Sequence, residues 1–156
     1  MVDIREIEKG DLMPLLDLYT QLHNNVIPTL DEKIESLWED ILSDKNHHII
    51  LGLLNGEVIS SCVLIVAPNL TRGQRPYALI ENVITHEKHR NKGYASLLLN
   101  HARDIAKAEN CYKIMFMTGA KKETTLNRPD SQAKPRQPIA NLRASLPVLV
   151  IALKIR

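Results

Sequence analysis

The stretch whose reading decides the fold is ALIENVITHEKHRNKGYASLLLNHARDIAKA, Ala78 to Ala108. ALIENVIT is an apolar run of strand length carrying one carboxylate, Glu81, whereas SLLLNHARDIAKA repeats its apolar residues at helical spacing. The loop between them, Arg90-Asn91-Lys92-Gly93-Tyr94-Ala95, ends where the helical period begins. A helix starting there leaves several backbone N–H groups without intrahelical partners at the positive end of its dipole. Such an end binds phosphate. Gly93 lets the backbone approach a ligand closely, and Arg90 and Lys92 add formal charge. A pyrophosphate fits this pattern, but so does an ordinary strand-to-helix turn with solvated charges, since short glycine motifs are weak evidence.

With 156 residues the chain suits one domain with a real core. No stretch reaches the roughly 20 apolar residues that span a bilayer, and MVDIREIEKGD lacks a signal-peptide apolar region, so a soluble cytoplasmic protein is expected. Cys62 and Cys111 lie in apolar runs and read as small hydrophobes rather than disulfide or metal ligands. The six histidines have no metal-ligand spacing, and surface or loop positions are expected for nearly all of them. The net charge of +2 hides an asymmetry. Up to Leu126 there are 14 Lys and Arg against 17 Asp and Glu, a balance of −3; from Asn127 onward there are 6 against 1, a balance of +5. Four of the eight prolines, Pro129, Pro135, Pro138 and Pro147, also fall in that last stretch.

Read in order, Val2, Ile4 and Ile7 suggest a first strand. Asp11 is then expected to cap a helix through Leu12, Leu15, Leu16, Leu18, Tyr19 and Leu22. Asp31 begins a second helix through Ile34, Leu37, Trp38, Ile41 and Leu42, with Lys45 at its end. Ile49 to Leu54, Asn55-Gly56 and Glu57 to Ala67 form a hairpin signal, because Asn-Gly accepts the positive φ of a type I′ turn. Cys111 to Thr118 reads as a fifth strand, and the long helix before it argues for a parallel crossover.

The strand Glu81-Asn82-Val83-Ile84-Thr85 and the R-x-x-G-x-A loop from Arg90 to Ala95 resemble motif A of the GNAT superfamily of acetyl-CoA-dependent N-acetyltransferases. The match runs from the N-terminus to about Asn127. It implies an α/β (α+β) fold, a mixed and mostly antiparallel central sheet flanked by helices in the order β-α-α-β-β-β-α-β. It further implies acetyl-CoA as cosubstrate with no metal. The pantetheine arm would lie between splayed strands four and five and bond to the backbone of Val83, Ile84 and Thr85. The pyrophosphate would rest on Arg90, Asn91, Lys92, Gly93, Tyr94 and Ala95. The acceptor would be a small-molecule amine attacking directly in a ternary complex, with neither nucleic acid nor membrane as partner, and homodimers are common in the family. A likeness to glucosamine-6-phosphate N-acetyltransferases, in Glu81-Asn82-Val83 and Cys111-Tyr112-Lys113-Ile114, would make Arg72 or Arg75 a sugar-phosphate contact.

Acyl transfer to an amine needs a proton acceptor, and Glu81, a carboxylate amid apolar neighbours, is expected to have a raised pKa suited to general base catalysis through water. A structural or solvated carboxylate is the alternative. A backbone N–H of Val83 or Ile84 is expected to stabilise the oxyanion.

The resemblance breaks at Asn127. Where the family continues into a helix bearing a tyrosine that protonates the leaving thiolate, this chain has Arg128-Pro129-Asp130-Ser131, and no tyrosine follows Tyr112. The chain therefore divides into 1–127, the acetyltransferase domain, and 128–156, an atypical basic, proline-containing tail. A reading-frame shift would produce such a change. The alternative is a native divergent tail whose Leu146 to Ile155 supplies a replacement strand. Either way turnover is expected to suffer, and a catalytically weak acyl-CoA-binding or regulatory module is the second reading.

Overall fold

The computed structural model describes residues 1–22, 26–118 and 149–154, the last six and 117–118 by backbone alone. The readings placed on His23 and on 119–148, including the break around Pro129, lie outside the described residues. In chain order the elements are β1 (Val2–Glu6), a 3-10 turn (Lys9–Asp11), α1 (Leu12–Tyr19), α2 (Glu32–Ser43), β2 (His47–Leu54), β3 (Glu57–Ala67), β4 (Tyr77–Thr85), a second 3-10 turn (Glu87–His89), α3 (Tyr94–Ala108), β5 (Lys113–Thr118) and β6 (Leu149–Lys154). The strands form one sheet in the order β1-β2-β3-β4-β5-β6. Every pairing is antiparallel except β4 with β5, which α3 bridges as the expected crossover.

The expected mixed α/β fold and its element order are therefore present. Asn55 and Gly56 both take positive φ, 53° and 86°, in the turn joining β2 and β3. Asp31 caps α2 as expected, accepting from the Ile34 N–H at 3.0 Å. Asp11 does not cap α1 with its side chain. Its carboxylate is bound by the Arg5 guanidinium at 2.6 and 2.9 Å and by the Glu8 N–H at 2.6 Å. A charged fork holds a buried carboxylate more strongly than a helix-end amide can. α1 closes at Tyr19 rather than Leu22, α2 ends at Ser43 before Lys45, and β5 starts at Lys113 rather than Cys111.

Two cores sandwich the sheet. Behind it, Leu98, Ala102 and Ala106, one turn apart along α3, pack on Ile50, Cys62, Leu64, Ala78 and Ile80. The helix comes close: a Cβ on Gly52 would lie 3.0 Å from Leu98 Cδ1. In front, Leu15 of α1 and Trp38 of α2 pack on Ile49, Leu51, Leu53 and Val63. Trp38 Nε1 donates to Lys9 O at 3.0 Å, tying α2 to the turn before α1. Both cysteines are free and buried, and burial pushes the Cys62 thiol up to about 12.

Candidate active site

The site forms at the C-terminal end of β4. Two irregularities make room for a ligand there. The first is a bulge: Val63 pairs with Glu81 and Ser61 with Ile84, leaving Asn82 and Val83 together opposite Cys62. Asn82 has φ 49°, a value asparagine tolerates better than most residues. The second is a splay. β4 pairs with β5 only over Ala78 to Ile80, so from Glu81 onward β4 has no ladder partner on that side among the described residues.

Strand geometry then sorts the backbone groups. His86 N–H donates to Ile59 O at 2.8 Å, and Ile84 O accepts from Ser60 Oγ at 2.7 Å, so both residues turn their peptide groups toward β3. Because directions alternate along a strand, Val83 and Thr85 turn theirs toward the open side. Thr85 O is already taken, accepting from Arg90 Nε at 3.1 Å.

Beyond β4 the chain makes its 3-10 turn and enters α3 through two left-handed residues, Asn91 at φ 62° and the N-cap Gly93 at φ 84°. A Cβ on Gly93 would meet nothing within 4 Å, so the glycine answers to backbone conformation and leaves the space before it open. Among the described residues, the N–H groups of Asn91, Lys92, Gly93, Tyr94 and Ala95 donate to no protein acceptor; the first bonded amide is Ser96, to Gly93 O at 3.0 Å. These open donors sit at the N-terminus of a 15-residue helix. Arg90, Asn91 and Lys92 are exposed around them, while Tyr94 is half-buried beside His89, ring centroids 6.4 Å apart. The loop is fastened by its flanks. Glu87 N–H donates to Gln21 Oε1 at 2.9 Å, and Lys88 N–H to His86 Nδ1 at 3.3 Å. Sequence reading missed the Gln21 contact, because no local pattern signals a bond between residues so far apart in the chain.

Glu81 stands on the front of the sheet, in register with Val63 of the front core, half-buried and just before the bulge. Among the described residues its carboxylate has no hydrogen-bond or ion-pair partner. Arg72 and Arg75 lie at the other end of β4. Arg75 is occupied there: Nε donates to Asn110 O at 3.1 Å and Nη2 to Cys111 O at 3.0 Å. The histidines are dispersed, with no group of three or more metal-binding side chains among the described residues. No helix among them is long and apolar enough to cross a membrane.

Comparison with known proteins identifies the family and the fold. A family model described as acetyltransferase (GNAT) family matches residues 12–128. A glucosamine 6-phosphate N-acetyltransferase of Trypanosoma brucei brucei is 27% identical over 82 residues, 53% of this chain and 56% of that protein. The match thus spans about half the length of that relative. Among solved structures, a putative acetyltransferase from Agrobacterium tumefaciens str. C58 is 31% identical with a TM-score of 0.74, over 86% of this chain and 99% of the other. AAC(6')-Iy, solved in complex with the bisubstrate analogue CoA-S-monomethyl-acetylneamine, shares the fold at 19% identity and a TM-score of 0.64, over 81% and 84% of the two chains.

Proposed function

The chain belongs to the acetyltransferase (GNAT) family, and from that premise we propose that it moves an acetyl group from acetyl-CoA to a primary amine of a small molecule by direct attack in a ternary complex. The observation that carries this reading is the run of open amides from Asn91 to Ala95 at the head of α3, beside the unpaired edge of β4. These two features suit the two ends of one ligand. The amides receive the diphosphate, with Arg90 and Lys92 around it, and the open side of Val83 and Thr85 receives the amide-bearing pantetheine arm.

Glu81 takes a proton from the ammonium form of the acceptor, through water, and the freed amine attacks the thioester carbonyl. The C–N bond forms first, giving a tetrahedral oxyanion; its collapse breaks the C–S bond, and the second proton of the nitrogen passes through water to the departing thiolate, which leaves as the thiol of coenzyme A. Of the two oxyanion donors considered, Val83 is the better, since its N–H turns to the open side and that of Ile84 toward β3. Calorimetric titration with coenzyme A, followed by a thiol-release screen of acetyl-CoA against amine classes, tests the reading. An absence of coenzyme A binding at millimolar concentration would overturn it.

The second reading, a weak acyl-CoA-binding or regulatory module, is favoured by one fact of sequence: no tyrosine follows Tyr112 to protonate the thiolate. A version whose segment after Asn127 carries the family's tyrosine helix is then expected to turn over about 10²–10⁴-fold faster at similar coenzyme A affinity. Equal turnover would count against the missing acid.

A further inference from the structure

Short of the bulge in β4 the front core stops at β3, and beyond it Ile84 is buried. None of its buried residues comes from β4 or β5. On the same face Tyr77, Leu79 and Glu81 of β4 and Lys113 and Met115 of β5 are only half-buried, although these strands lie inside a six-stranded sheet. Their side follows from pairing and alternation. Leu79 pairs with Ile65 and Glu81 with Val63, both on the front, while Ile114 belongs to the rear core and so turns its neighbours Lys113 and Met115 forward. The result is a shelf with Glu81 at one end.

Lys113 occupies the other end. Its ammonium lies 5.3 Å from the centre of the Tyr77 ring and 5.5 Å from that of Tyr112, where the two ring faces attract it. Among the described residues no carboxylate pairs with it. Since Ala78 pairs with Ile114, Lys113 stands level with Tyr77, four residues before Glu81. That is about 13 Å along the strand, a separation that calls for an acceptor whose amine and anion stand several bonds apart.

We propose that Lys113 selects the acceptor: the substrate is an amine that also carries an anionic group, a phosphate or a carboxylate, with its amine at Glu81 and its anion at Lys113. This rests on the reading of Glu81 as the base. It moves the anion contact away from Arg75, whose guanidinium is committed to two carbonyls.

The test uses matched acceptors, an amino sugar with and without a phosphate and a long-chain ω-amino acid with its amide, on the wild-type chain, Lys113→Gln and Lys113→Arg. The anionic member of one pair is expected to be preferred, and which pair it is tells phosphate from carboxylate. Lys113→Gln should raise its KM at least tenfold while leaving the KM for acetyl-CoA and for the neutral amine unchanged, and Lys113→Arg should keep the preference. A preference that survives in Lys113→Gln, or equal use of both members by the wild type, overturns the proposal. Calorimetric titration with the same amines without acetyl-CoA separates it from the enzymatic reading. Saturable binding of the anionic member that is lost in Lys113→Gln supports the anion site even where no acetyl transfer is seen. Transfer without such binding removes the site and leaves the transferase.

Discussion

Two loops cap the opposite ends of β4, and by sequence they look alike. Loop 68–76 contains Arg72, Gly73 and Arg75; the passage from 86 to 93 contains Arg90, Lys92 and Gly93. Both adopt left-handed backbone, at Arg72, Gly73 and Gln74 in the first and at Asn91 and Gly93 in the second. They differ in where their polar groups go. The first is closed on itself: Asn69 Nδ2 donates to Thr71 O at 2.8 Å and to Arg75 O at 3.1 Å, and Arg75 reaches the two carbonyls that follow α3. The second fastens only its flanks and leaves five successive amides open among the described residues. Positive charge and glycine do not make an anion site. Unspent donors do, and only the fold reveals which donors remain unspent.

The largest effect expected from this contrast is at the open end. Glu81→Gln should lower kcat/KM for the amine by about 10²–10⁴-fold with coenzyme A affinity retained, read by thiol release and calorimetry. A variant retaining most of its activity would return Glu81 to a structural role. Gly93→Ala tests whether the amide cradle depends on its left-handed turn. The backbone penalty there is roughly 1–2 kcal/mol, so coenzyme A should bind about tenfold more weakly, with no clash to blame because the added Cβ meets only open space. Unchanged affinity would mean that the cradle does not need this conformation.

The closed end should respond in stability alone. Arg75→Ala is expected to cost about 1 kcal/mol, a drop in Tm of roughly 2–4 °C, while leaving the KM for acetyl-CoA as it was. A large rise in that KM would make the two loops functional equals after all. The smallest effect concerns Asp11, which both loops ignore. The hydrogen bond from Arg5 holds its carboxyl below the ordinary value of 3.8, against the opposing pull of burial. A carboxyl whose folded pKa is lowered stabilises the fold fully above that ordinary value and loses the contribution as pH falls through the folded one. The Tm gap between the wild type and Asp11→Asn should therefore be present at pH 7 and narrow below about pH 4; a gap independent of pH would assign the effect to packing.

Much of the frame was legible because its signals are local. Asn55-Gly56 carries its own turn chemistry, Asp31 stands one residue before its helix, and the strand, basic loop and helix from Tyr77 to Ala108 are contiguous. What escaped depends on partners far away in sequence. Asp11 reads as a cap until Arg5 is found beside it, and Arg75 reads as a free cation until the end of α3 arrives. Lys113 had only a weak signal, a neighbouring tyrosine; the second ring comes from another strand. Of the motif residues, the structure brings Val83, Thr85 and the loop from Arg90 to Ala95 to one end of β4 and turns the Ile84 backbone toward β3, a distinction that needs the register across β3.

The surplus residue at Asn82 has a last consequence. Before it, even-numbered side chains of β4 face α3; after it, odd-numbered ones do, so the strand runs in two phases joined at one point. Deleting that residue would leave a regular strand in which Glu81, Val83 and Ile84 alternate as they already do, so faces and partners on β3 are kept and only the bulge is lost. A residue gained or lost beyond Asn82, by contrast, would put every later side chain of β4 on the other face. A length change within loop 68–76 could be absorbed without disturbing that phase.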